Sequence, residues 1–282
     1  MSLWWASVAV VGSVVAALVA LFIVRRWAPA GGHFGDTARA AGVFTVLGTV
    51  VAVLLAFVIF LALETFSTAK ETAGQEAVAT TQLYRTAALL PDPAGSTLRG
   101  QLVCYGRAVI DDEWRTMREG RESSLVHGWL DRMAATLASI SPENEREATA
   151  YAEWFDQDAE RREGRRGRLA QAEPFVPALV WAVLVIGALM VVVHVVLFAD
   201  SAENVVVQVV MVGAITAVLA LGLVLVAFLD TPYGERSSAV EPTEMRSTLE
   251  LMERTRTPDF ASLQLPCDDR GRPDVAETVT PD

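Results

Sequence analysis

Four stretches of this chain, residues 3–24, 40–63, 175–199 and 204–229, contain no Asp, Glu, Lys or Arg. Each is as long as the roughly 20 apolar residues that an α-helix needs to cross about 30 Å of hydrocarbon. A soluble core helix can be apolar all round, but four such runs in 282 residues read as membrane spans. Charged residues make up 20% of the chain and crowd into the intervening stretches, as expected when part of the chain meets lipid and part meets water. The expected fold is therefore an all-α membrane protein, with four transmembrane helices and a helical domain between the second and third.

The first stretch is read as a span and not as a secretory signal peptide, although Ala28-Pro29-Ala30 offers a small-residue cleavage pattern. A signal peptide places its basic residues before the apolar run, whereas Arg25 and Arg26 follow this one. Trp4, Trp5 and Trp27 suit the two interfaces. The expected organisation is residues 1–63 for the first two spans, 64–173 for the extramembrane domain and 174–229 for spans three and four. Residues 230–257 follow as a turn and amphipathic helix, and 258–282 as a disordered tail. Counting Lys70, Arg161, Arg162, Arg165, Arg166, Arg168 and Arg236 on one side against Arg25, Arg26 and Arg39 on the other predicts a plasma-membrane protein with cytoplasmic termini and a cytoplasmic middle domain.

Within the middle domain, Leu83, Ala87 and Leu90 extend the helical stripe of the second span until Pro91-Asp92-Pro93-Ala94-Gly95 breaks it. Ser96 or Thr97 is expected to cap the next helix, along which Leu98, Leu102, Tyr105, Val109 and Trp114 recur. Ser141-Pro142-Glu143 reads as cap, first-turn proline and first-turn acid of a long charged helix. Met245, Leu249 and Met252 share one face of a short helix expected to pack on this domain. Beyond Pro258 the scarcity of apolar residues predicts disorder.

A net charge of −11 argues against nucleic acid as a partner, because phosphate binding needs a basic field. Cys104 and Cys267 are the only cysteines, far apart and without metal-ligand spacing, so no disulfide framework is expected. His33, His127 and His194 are scattered, so no metal site or cofactor is expected. No nucleophile, base and orienting group can be assembled by spacing, which argues against an enzyme.

Along the second span Thr45, Gly48, Thr49, Ala52, Ala56 and Phe60 fall at three- and four-residue steps and make one small, mildly polar face closed by a ring. Such a face can line a pore with a hydrophobic constriction at Phe60, or let helices pack closely in lipid. Glu64 follows where the span would emerge, and copies of it around a pore would favour cations. Arg161, Arg162, Arg165, Arg166 and Arg168 precede the third span and are expected at lipid headgroups. His194 and Gln208 are polar groups within spans, placed for hydrogen bonds between helices, and Asp230 is expected to cap the turn after the last span.

Several segments together resemble the bestrophin-like family of bacterial membrane proteins. They are Leu63-Glu64-Thr65-Phe66-Ser67, Glu76-Ala77, Leu83-Tyr84-Arg85, Leu90-Pro91, Glu113-Trp114 and Arg166-Gly167-Arg168-Leu169, then Pro177, Trp181, Leu229-Asp230-Thr231-Pro232-Tyr233 and Glu241-Pro242. The resemblance covers roughly Gly42 to Met252. It implies the fold of bestrophins, which are pentameric ion channels with four membrane helices per subunit, the second lining the pore. It also implies a homo-oligomer, a pentamer, that passes small inorganic ions across a lipid bilayer. The acidic cluster that animal bestrophins carry after the fourth span has no counterpart beside Asp230 and Glu235. The alternative is a non-conducting membrane protein whose helical domain serves as a sensor or partner-docking module.

Overall fold

The computed structural model describes residues 3–29, 32–234, 239–255 and 265–274. Among the described residues the regular structure is helical: α1 (Leu3–Trp27), α2 (Thr37–Ala87), α3 (Ala94–Ala108), a π-helical turn (Val109–Glu113) and α4 (Trp114–Arg118). There follow α5 (Ser124–Ala138), α6 (Glu145–Ala170), α7 (Ala178–Leu197), α8 (Val205–Leu229) and α9 (Thr243–Arg254). The chain divides into two compact units, residues 1–66 with 174–239 and residues 67–173 with 240–282, so the division falls inside α2.

The first unit holds α1, the apolar part of α2, α7 and α8, four helices long and apolar enough to cross a membrane. Ala17 and Leu21 of α1 pack with Val195, Val196 and Val212, while Leu55 and Val58 of α2 pack with Val176, Leu184 and Val226. Gly222 of α8 lets α2 come close: a Cβ there would lie 2.6 Å from Leu55 Cδ2. Small residues of this kind are what bring helices together where the surroundings are as apolar as the interface. Outward-facing side chains are large and apolar as well, Val46, Phe60, Leu179 and Val218 among them.

Polar groups in this unit are tied to specific partners. Arg25 donates to the carbonyls of Asp200 (2.7 Å) and Glu203 (2.6 Å) and to Gln208 Oε1 (2.6 Å), stitching α1 to the 198–204 connection. His194 lies beside Ala40 O at 3.3 Å and stacks on Phe44. Asp230 accepts from Val176 N (2.7 Å) and the Trp181 indole (3.3 Å), so it joins the end of α8 to the start of α7.

The second unit is built around α3, where Leu98, Leu102, Val103, Cys104 and Tyr105 are fully buried. Asp92 Oδ1 caps the start of α3 by accepting from Ser96 N (3.2 Å), and Ser96 and Thr97 instead donate their hydroxyls to Pro93 O. Ser123 Oγ caps α5 by accepting from Val126 N. The long charged helix opens at Asn144 and not at Ser141: Asn144 Oδ1 accepts from Glu147 N, and the Glu147 carboxylate reaches back to Glu143 N. Asn144 decides this, because its side-chain oxygen reaches the amide of the third helical residue, Glu147. On α9, Met245, Thr248 and Met252 are buried, and Leu249 lies against Gly106 of α3.

The structure corrects two expectations here. Cys104 and Cys267 are joined in a disulfide with a Cα–Cα separation of 5.9 Å. Residues 265–274, inside the tail expected to be disordered, form an ordered strap on the helical unit. The strap carries an isolated bridge between Cys267 and Pro273, and its Gly271 O accepts from the Trp129 indole at 2.7 Å. A covalent tie and buried hydrogen bonds hold a segment whose composition offers little hydrophobic drive. The rest of the expected tail, residues 258–264 and 275–282, lies outside the described residues.

Candidate functional site

Two places in the molecule carry arrangements beyond packing. The first is the outer face of α2. Thr45, Thr49, Ala52, Ala56 and Phe60 are exposed, Gly48 is half-buried and Glu64 is exposed. At 3.6 residues per turn the first five fall within about 80° of one another. Val51, Leu55, Val58 and Ala62 are buried, roughly a third of a turn away, on the side that meets α7 and α8. The hydroxyls on the outer face bond within the helix, Thr45 to Ala41 O at 2.9 Å and Thr49 to Thr45 O at 2.7 Å. The face is thus polar only through local oxygens, with Phe60 as its bulkiest element, 63% exposed.

The second place is the interior of the helical unit, where the basic run of α6 turns inward. Arg161, Arg165 and Arg168 are buried and ion-paired, which corrects the expectation that they sit at lipid headgroups; Arg162 and Arg166 are exposed. The reason is helical spacing. Arg161, Gly164, Arg165 and Arg168 stand at i, i+3, i+4 and i+7, one face of a helix, with the other two arginines on the opposite face. Gly164 and Gly167 bring that face against α2: a Cβ on Gly164 would lie 2.6 Å from Glu76 N, and one on Gly167 2.5 Å from Thr72 Cγ2.

Close approach puts the guanidinium groups onto carboxylates. Arg168 bridges two of them, donating through Nε to Glu76 Oε2 (2.5 Å) and through Nη2 to Glu113 Oε2 (2.6 Å). Arg165 Nη2 donates to Glu113 Oε1 at 2.5 Å. Tyr105 OH donates to Glu76 Oε1 (2.5 Å) and accepts from Arg161 Nη1 (3.2 Å), and Arg161 is also paired with Asp158 (2.7 Å). The Arg168 guanidinium lies over the Trp114 ring, 4.8 Å from its centre. Glu113 closes the π-helical turn between α3 and α4, a wider turn of the sort often found where a side chain must be re-aimed.

Three buried arginines thus face Glu76, Glu113 and the half-buried Asp158, so formal charges cancel inside the unit. Burial by itself would raise the Glu113 carboxyl, but Arg168 and Arg165 outweigh it and hold Glu113 below the usual carboxylate range. Burial, reinforced by the Glu76 charge, pushes the Tyr105 phenol well above its ordinary value, which keeps it a hydrogen-bond donor. Burial disfavours the charged form of Arg168, and Glu76 and Glu113 more than restore it. The cluster is a charge-neutral clamp joining α2, α3, the π turn and α6. Among the described residues no group of three His, Cys, Asp or Glu side chains is placed to hold a metal ion.

The family model of the Bestrophin-like domain matches residues 11–245. The chain belongs to this Bestrophin-like family. Its fold is similar to solved structures of variants of a bacterial bestrophin homologue from Klebsiella pneumoniae. Two of these align with TM-scores of 0.65 and 0.64 at 14% and 15% identity, each over 90% of this chain and 99% of the other. A structure described as a membrane protein aligns over the same shares with a TM-score of 0.65 and 15% identity. No match is found among curated proteins.

Three of the segments that carry the resemblance in sequence meet in the clamp of this Bestrophin-like chain: Glu76, the Glu113-Trp114 pair and Arg168 are its centre. Sequence reasoning singled out the arginines but assigned them the wrong surroundings, and it missed Glu76, Tyr105 and Glu113 as their partners. The available signal was the i, i+3, i+4, i+7 spacing of Arg161, Gly164, Arg165 and Arg168, a core pattern written in charged residues.

Proposed function

We propose that the protein is an oligomeric membrane channel for small inorganic ions, with α2 of each subunit lining the pore. The observation that carries this reading is the two-sidedness of α2. One face is packed against α7 and α8, while the Thr45, Thr49, Ala52, Ala56 and Phe60 face has no covering among the described residues. Family membership and the bestrophin-like fold support four bilayer crossings and a ring of subunits, with the pentamer as the count that the resemblance implies. In such a ring the Phe60 side chains form an apolar constriction that gates by dewetting, and Glu64 carboxylates at the mouth favour cations. Arg162 and Arg166, exposed on α6, keep the proposed headgroup role.

A second reading, a non-conducting protein whose helical unit docks a partner, rests on a cleft of about 630 Å³ between α5 and α6. Leu130, Met133, Leu137 and Phe155 line it, with Arg162 and Arg166 among its polar groups. Mass determination in detergent and single-channel recording in planar bilayers separate the two. The channel reading expects an oligomer with unitary currents that change in Phe60→Ala; a monomer with silent bilayers would remove it and leave the docking module.

A further inference from the structure

We propose that Cys104 and Cys267 form a reversible redox latch: a cytoplasmic dithiol reduces the cystine and frees the 265–274 strap from α3 and α5, and reoxidation reseats it. The proposal rests on the reading that the helical unit faces the cytoplasm. With Arg161, Arg165 and Arg168 engaged by carboxylates, Lys70, Arg162, Arg166 and Arg236 still outnumber Arg25, Arg26 and Arg39 near the span ends. Disulfides on that side are rare, and those that form there are usually transient or redox-sensing.

The strap has a seat shaped for it, yet little besides the S–S bond keeps it there. Gly271, at φ +74°, lies so close to α3 that a Cβ would come 2.7 Å from Cys104 O, and Pro266 lies on Gly100, where a Cβ would be 3.3 Å from its ring. Among the described residues the hydrogen bonds that cross to the strap come from the Trp129 indole to Gly271 O (2.7 Å) and from Arg107, at the surface, to Asp268 O (3.2 Å). The Arg107–Asp269 pair, at 3.5 Å, has its carboxylate fully in water and holds weakly. Asp268, Asp269, Arg270, Arg272 and Asp274 leave the strap little apolar surface to bury. The cross-link is therefore the main tie. Its loss is local, because the pairs of Arg168 with Glu76 and Glu113 join α2, the π turn and α6 without the strap.

Access decides which sulfur reacts. Cys104 is fully buried in α3, whereas Cys267 keeps 6% exposure beside the exposed Asp268, Asp269 and Arg270, so a thiolate attacks Cys267 Sγ. The S–S bond breaks, a mixed disulfide forms on Cys267, and Cys104 leaves as a thiolate that takes up a proton. The second thiolate of the dithiol then displaces Cys267, which is protonated in turn. Two electrons have passed to the cystine, and the dithiol leaves as a disulfide. In the reverse direction glutathione disulfide accepts the two electrons and the two protons return to water.

The test uses the full chain in detergent, equilibrated with dithiothreitol or with mixtures of glutathione and glutathione disulfide. Acid-quenched, denatured samples are expected to take up no polyethylene-glycol maleimide in excess glutathione disulfide and two after reduction, and to lose both sites again on reoxidation. Amide exchange over residues 267–272 should quicken about tenfold or more on reduction while α6, α7 and α8 stay unchanged. Gly271→Ala, which pushes the strap off Cys104 O, should let reduction occur at a lower ratio of glutathione to glutathione disulfide. A cystine that both reductants leave intact in the native protein, a Gly271→Ala titration that does not shift, or strap exchange unchanged by reduction would overturn the latch. Sidedness is read separately, in cells expressing the chain with Cys104→Ala, Cys267→Ala and Ser139→Cys. A membrane-impermeant maleimide is expected to label it only after lysis. Labelling in intact cells would remove the cytoplasmic reading, and the proposal with it, whatever the glutathione titration shows.

Discussion

Between α2, α7 and α8 the packed side chains are Leu55, Val58, Val176, Leu184 and Val226, whereas between α2, α3 and α6 the helical unit closes over Glu76, Glu113, Arg165 and Arg168. The same helix, α2, contributes to both interiors, so the contrast does not come from local conformation. On the proposed reading, with the first unit in lipid and the second in water, it follows from what surrounds each unit. Where both the inside and the outside are apolar, burial gives no preference for one face over another, and packing relies on close contacts such as Gly222 on Leu55. Where water surrounds the unit, an interior of charges must be fully paired to persist, and its pairing then selects one arrangement of helices. The first unit is therefore tolerant of apolar exchange, and the second is sensitive to loss of any single buried charge.

The largest expected effect is in the clamp. Arg168→Met leaves Glu76 and Glu113 buried without their shared partner and should cost about 3–5 kcal/mol. Amide exchange measured by mass spectrometry should speed up in α3 and α6 and stay unchanged in α7 and α8. Adding Glu76→Gln to that variant should recover part of the loss. Equal exchange changes in both units would break the contrast.

A smaller effect is expected from pH. Glu113 sits below its unfolded value near 4.3, so its contribution is complete above that pH and is lost as pH falls through the lower folded value. Acid titration followed by the fluorescence of Trp114, Trp129 and Trp154 should report loosening of the helical unit only below about pH 4.3. In Glu113→Gln that acid step should diminish. An unchanged titration would mean that other carboxylates set the acid limit.

The smallest effect is expected at Arg162 and Arg166, which share the basic run yet point outward. Alanine at either should move the stability of the helical unit by less than about 0.5 kcal/mol. A thermal shift comparable to that of Arg168→Met would place these two residues in the clamp as well.

Much of the architecture was legible in the chain. The four apolar runs correspond to α1, α2, α7 and α8, and the Met245, Leu249 and Met252 stripe to a helix seated on α3, because burial of apolar surface leaves a periodic signature. The outer face of α2 was also readable as a set of residues, since three- and four-residue steps place Thr45, Thr49, Ala52, Ala56 and Phe60 on one side of any helix. What that side meets in an assembly is a question for the recordings on Phe60→Ala. The clamp escaped the reading because its inward face is charged, and a search for apolar periodicity passes over Arg161, Arg165 and Arg168.

Alone, the sequence determined which segments are helices and which of them suit lipid, since length, charge exclusion and helical period are properties of neighbours along the chain. Only the tertiary structure decided that Arg168 meets Glu76 and Glu113, that Cys104 meets Cys267, and that a polar tail segment is held in place. These are pairings between residues far apart in sequence, 163 positions in the case of the disulfide. Complementary charge and chemistry state that a partner is needed, and only the folded arrangement of α2, α3 and α6 says which one comes within reach.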